Sequence, residues 1–128
     1  MTSDCLWPED LDAVRAAPAQ HRVLLENAPV RVLDTRIEPG ESTPVHTHCW
    51  PAVHYVLAWS DFVRRDAQGG ILLDTRTAGS AGALEPATAR WGDPLAPHSL
   101  ENVGLTPLHI ISVELKGGST MAPARHGA

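Results

Sequence analysis

His46 and His48 stand two apart at the end of the run Pro39-Gly40-Glu41-Ser42-Thr43-Pro44-Val45-His46-Thr47-His48. His98 follows fifty residues later, in Pro97-His98-Ser99-Leu100-Glu101-Asn102. Residues i and i+2 of a β-strand share a face with Cα atoms roughly 6 to 7 Å apart, so two imidazoles placed this way converge on one ion. A third histidine from a distant strand would complete a three-nitrogen set. Three neutral imidazoles leave a divalent ion its full formal charge of about +2, which favours anionic or chelating substrates such as thiolates, enolates and carboxylates. They also leave a coordination position open, the property that separates catalytic from structural metal sites. Imidazole suits Fe(II), Zn, Ni and Cu alike.

With seven histidines in 128 residues, one His-x-His pair is close to a chance event, so the weight lies on the elements around it. From His21 onward, short runs rich in Val, Leu and Ile are punctuated by Pro, Gly and Asn, which predicts strands. They are placed at His21–Glu26, Val30–Ile37, Thr43–His48, Val53–Trp59, Asp61–Arg65, Ile71–Thr75, Thr88–Trp91 and Leu108–Leu115, with a hairpin turn at Ala67-Gln68-Gly69-Gly70. Nothing between them is long enough for a crossover helix, which points to an all-β sandwich or barrel. Before them, Pro8 to Ala17 reads as a short helix, with acids in its first turn and Pro18 as its stop. The predicted organisation is a helical extension over 1–20, a barrel over 21–116 and a disordered tail over 117–128, with Thr77 to Ala87 read as a loop, the alternative being a lid.

One domain of this size buries a real core. A formal net charge of -5 and a pI near 5.7, with no basic stripe, argue against nucleic acid as a partner. No apolar run reaches the roughly 18 residues of a membrane helix, and Asp4, Glu9, Asp10 and Asp12 stand where an export signal would be positive. The expectation is a soluble cytoplasmic protein acting on a small molecule. Cys5 and Cys49 show no zinc-type spacing, and a cytosolic setting predicts two reduced thiols.

The paired segments resemble the motifs of the cupin superfamily over about residues 30 to 115. Gly40, five residues and His46-Thr47-His48 match its first motif, Tyr55-Val56-Leu57 its continuation, and His98 with Asn102 the end of its second. The resemblance implies a cupin double-stranded β-helix, a jelly-roll barrel, with one divalent metal on His46, His48 and His98, and a homodimer. Two departures stand out: Ala52 and Val53 occupy the positions of the usual motif-one glutamate, with no carboxylate to replace it nearby, and Pro94-Leu95-Ala96-Pro97 replaces Pro-x-Gly. Cupins similar to this variant include cysteine dioxygenase and diketone-cleaving dioxygenases, which hold iron with three histidines. The implied function is a small-molecule metalloenzyme with Fe(II) the favoured ion, most concretely a non-haem dioxygenase-like enzyme. The rivals are a zinc-type isomerase or lyase and a non-enzymatic ligand-binding barrel.

Counted from Ala52, His54 falls on the same strand face and is expected inside the barrel as a catalytic acid/base, against the alternative of a core histidine bonded to a carbonyl. Trp50 and Trp91, beside the histidine motifs, are candidate substrate contacts, each weighed against plain core packing; Trp59 reads as packing. Arg64 and Arg65 with Asp66 read as a solvated hairpin end, the alternative being an arginine that reaches the barrel mouth to hold an anion. His21 and His126 read as peripheral. His109 lies in a late apolar strand whose facing the pattern leaves open.

Overall fold

The computed structural model describes residues 5–77 and 86–117. The loop expected over 77–87 and the tail expected over 117–128 fall almost wholly outside these residues. Pro8 to Ala17 does not form one helix. It folds as a 3-10 turn, Glu9–Leu11, and a single-turn helix α1, Ala13–Ala16. Asp12 divides them: its backbone is extended, and its carboxylate accepts from the Val14 N–H at 3.1 Å as the cap of α1.

Nine strands follow among the described residues: β1 His21–Glu26, β2 Val30–Ile37, β3 His46–His48, β4 Ala52–Ala58, β5 Phe62–Asp66, β6 Ile71–Asp74, β7 Thr88–Gly92, β8 Leu95–Asn102 and β9 Leu108–Leu115. They form two antiparallel sheets, ordered β1-β2-β9-β4-β7 and β3-β8-β5-β6. The sequence pattern missed β8, the strand that carries His98. Pro94 and Pro97 hide it, because proline cannot donate to a ladder. Pro97 is tolerated because it falls where the β3–β8 register slips between His46↔His98 and His48↔Leu95. The expected strand from Thr43 shortens to β3, although Thr43 N–H still donates to Leu100 O at 2.9 Å.

Period-two alternation sets what faces inward. On β9 the even positions Leu108, Ile110, Ser112 and Glu114 turn in, and on β4 Ala52, His54 and Val56 do the same. Ile37, Phe62 and Leu108 form the apolar core, with Trp59, Leu73, Leu100 and Ile110 packed around it. Fully buried Asn102 stitches this end: Nδ2 donates to Ile37 O and Thr106 O, while Oδ1 accepts from Ser60 Oγ and Gly104 N–H. The turn read at Pro39-Gly40-Glu41 forms, with Gly40 at φ +82° in the left-handed region and its N–H donating to Asn102 O.

Cys5 and Cys49 are joined by a disulfide, which corrects the expectation of two reduced thiols. Their separation of 44 residues hid the pairing, since the N-terminal segment folds back alongside β3, where Asp12 bridges Thr47. No helix among the described residues is long and apolar enough to cross a membrane.

Candidate metal centre

The β3–β8 ladder sets His46 directly opposite His98. Their ring centroids are 4.4 Å apart, and His48 lies 5.0 Å from His46 and 5.7 Å from His98. A fourth imidazole joins them. His21, read from sequence as peripheral, is buried at the start of β1 with its ring 4.8 Å from His46 and 5.3 Å from His48. It reaches the cluster because α1 turns the chain back over β3.

Each of the four rings has its Nδ1 held by an acceptor. His21 donates to Ala17 O at 3.0 Å, His46 to Pro44 O at 2.8 Å, His98 to Ala96 O at 2.7 Å, and His48 to Glu114 Oε2 at 3.3 Å. This fixes ring orientation and tautomer, and leaves Nε2 as the free lone pair, the arrangement that orients histidine ligands. A ligand nitrogen about 2.1 Å from an ion puts its ring centroid about 3.2 Å away, so neighbouring rings at 90° to 110° would have centroids about 4.5 to 5.3 Å apart. The observed spacings of 4.4 to 5.7 Å bracket that range. One ligand atom each from His21, His46 and His48 lies within 4.8 Å of the others. The donor set that fits one divalent ion is therefore His21, His46 and His48, with His98 outside that group and its ring 4.4 Å from that of His46.

The cluster is also kept uncharged. Burial, and then the neighbouring imidazoles, push His21, His48 and His98 down to about 3, and burial lowers His46. All four are neutral near pH 7, the form that ligates a metal.

Behind His48 lies a carboxylate that corrects the sequence reading of none nearby. Glu114 on β9 is the register partner of Ala52, so the sheet brings a carboxylate beside the position that the motif resemblance assigns to a glutamate. It is a support and not a ligand: Oε2 faces His48 Nδ1, while Oε1 accepts from Arg31 Nε at 2.6 Å. Arg31 also forks onto both oxygens of Asp12, at 2.9 and 3.0 Å, and stacks its guanidinium 4.9 Å from the Trp50 ring. Burial opposes the Arg31 charge, but the Asp12 hydrogen bond and the Glu114 carboxylate outweigh it and hold the group firmly protonated. Burial raises the Glu114 carboxyl against the pull of Arg31.

The cluster forms one wall of a cavity of about 540 Å³ between the sheets. His54 lines it, as its strand parity requires, with Nδ1 2.7 Å from Ser112 Oγ and Nε2 without a hydrogen-bond partner among the described residues. Gly92 on β7 makes room, since a Cβ there would overlap the His54 ring. Burial lowers His54 as well, with Arg64 and Arg90 adding to the effect and Glu114 opposing it. Neither tryptophan proposed from sequence lines this space. Trp50 lies between Arg31 and Lys116, and Trp91 is 55% exposed with its indole N–H on Asp93. Trp59, read as packing, does line the cavity while packing edge-on to Phe62. His109 points the other way and bonds Asp34 Oδ1 at 2.6 Å.

Sequence reasoning thus missed His21, Glu114 and Ser112. The last two were within reach of the β9 alternation, where a serine and a glutamate share the face of Leu108 and Ile110. For His21 no local signal exists, because its placement depends on how the N-terminal segment docks.

No protein-family model and no curated protein sequence matches the chain. Solved structures do. A cupin domain from Bordetella pertussis Tohama I superposes with a TM-score of 0.61 at 18% identity, covering 76% of this chain and 92% of that one. A Klebsiella pneumoniae protein with a double-stranded β-helix domain gives 0.51 at 18%, covering 91% and 92%. The polyketide cyclase RemF from Streptomyces resistomycificus gives 0.52 at 22%, covering 81% and 71%. The fold of this chain is the cupin double-stranded β-helix.

Proposed function

We propose that the protein is a metal-dependent enzyme acting on a small organic molecule, with the ion held by His46, His48, His98 and His21. The observation that carries this reading is that four anchored imidazoles with free Nε2 atoms share a cavity with His54, a fifth histidine outside the cluster. When bound, a divalent ion would supply Lewis-acid activation of a substrate oxygen or sulfur donor. The cavity walls supply the rest. Trp59, Phe62, Leu100 and Ile110 exclude water and take up an apolar body. His54, neutral near pH 7, would accept a proton at Nε2 from a carbon acid bound in the cavity, and Ser112 Oγ takes the Nδ1 hydrogen bond that steadies the resulting imidazolium.

The His54–Ser112 pair favours non-oxidative chemistry: isomerisation, elimination or ring closure through an enolate. Likeness in fold to a polyketide cyclase agrees with this choice. A dioxygenase-like Fe(II) enzyme is the second reading, favoured by a ligand set without carboxylate. His21 weighs against it, because a fourth imidazole and a two-donor substrate together would fill six positions. The test is to load the protein with iron or zinc and offer β-dicarbonyls and thiols. Solvent deuterium entering the acidic C–H without oxygen uptake, and lost in His54→Gln, is the expected result. Oxygen consumption by the iron form would favour the dioxygenase, and neither activity with metal bound would sink the enzyme reading.

A further inference from the structure

Arg64 on β5 carries a charge that nothing in the described fold answers. Its Nε is buried without a hydrogen-bond partner, and burial alone shifts its guanidinium, with no carboxylate near enough to contribute. Its neighbour behaves differently: Arg65 points away and pairs with Glu101 at 2.9 Å. Arg64 instead turns into the cavity, its guanidinium 5.7 Å from the Phe62 ring. Across the ladders it is the register partner of Leu100 on β8 and Leu73 on β6. Leu100 lies two residues beyond His98, so Arg64 stands one pleat along from the imidazole cluster on the same inner sheet face.

The opposite sheet contributes a second cation. Arg90 on β7, register partner of His54, also lines the cavity. Among the described residues, two arginines line this space and no aspartate or glutamate does. A half-buried guanidinium whose Nε lacks a partner is costly, and an anion supplied by a ligand offsets that cost through charge-assisted hydrogen bonds.

We propose that Arg64 anchors the carboxylate of a small organic acid whose apolar body fills the cavity and whose other end offers an oxygen or sulfur donor to the imidazole cluster. Arg90, at the exposed side, draws such acids in. This rests on the cavity being the substrate chamber of the proposed enzyme and names the class of substrate it takes.

The experiment titrates metal-free protein with 3-phenylpropionate and with its neutral isostere 3-phenylpropanamide, by calorimetry and by intrinsic tryptophan fluorescence. The wild type is expected to bind the acid about tenfold or more tightly than the amide, the range typical of a hydrogen-bonded charge. Arg64→Gln should erase that preference, whereas Arg64→Lys, which keeps the charge without the fork, should retain part of it. Equal affinity of the wild type for acid and amide, no measurable binding of the acid, or a preference that survives in Arg64→Gln would overturn the proposal. Should Arg64→Gln lose its near-UV circular dichroism, the wild-type acid-to-amide ratio and the Arg64→Lys variant decide. Metal content is measured separately: a preference that depends on Arg64 in a protein that takes up no divalent ion would keep this inference and sink the metal reading.

Discussion

Two neighbouring parts of one cavity treat their polar groups in opposite ways. At the imidazole end every Nδ1 has an acceptor, Glu114 is shared between His48 and Arg31, and Arg31 is locked by Asp12. At the Arg64 end a cation is half-buried with its Nε unpaired. The first is a preformed ligand set, organised before anything binds, and the second is an incomplete pair. Preorganisation concentrates affinity for a cation at one end and for an anion at the other, and the apolar side chains between them set the length of what can span both.

Acid should disturb the imidazole end most. In the folded metal-free protein His21, His48 and His98 sit at about 3, against about 6.5 when unfolded. A depressed folded value means the unfolded chain binds protons first, so this contribution is complete above pH 6.5 and drains away as pH falls toward 3. Each imidazole contributes up to about 1.4 kcal/mol per pH unit in that window. Urea midpoints of metal-free protein should fall steeply between pH 7 and pH 4, and a flat profile would mean that the imidazoles take up protons in the folded protein as readily as in the unfolded chain. Next in size is the triad behind it. Arg31→Met leaves Glu114 and Asp12 buried without their cation and should cost about 3 to 5 kcal/mol in urea unfolding; a loss below about 1 kcal/mol would show the network to be loosely held. Smaller again, Glu114→Gln should weaken metal affinity about 10- to 100-fold by releasing His48 Nδ1, while acid binding at Arg64 stays unchanged. Equal damage at both ends would mean that the two act as one unit.

Much of this was legible beforehand. The alternating runs gave the all-β fold, and His46, His48 and His98 could be brought to one place because strand parity and the two motif-like segments constrain them together. His54 followed from parity too. What stayed hidden depends on docking between distant segments. His21 acquires its place only when Asp12 and α1 fold across β3, and the disulfide between Cys5 and Cys49 follows from the same movement. The carboxylate was missed because the comparison ran along one strand, whereas the sheet offers the same location from the strand beside it, where Glu114 faces Ala52. Arg64 and Arg65 were indistinguishable in sequence, and the pleat separates them into one that faces the cavity and one that faces Glu101.

Anomalous diffraction at the absorption edge of the loaded metal, on crystals of protein reconstituted with one divalent ion per chain, tests the central claim most directly. A single peak about 2.1 Å from Nε2 of His21, His46 and His48, with His98 completing the set, is the predicted result. A peak held by other groups, or no peak beside Nε2 atoms in ordered density, would contradict it.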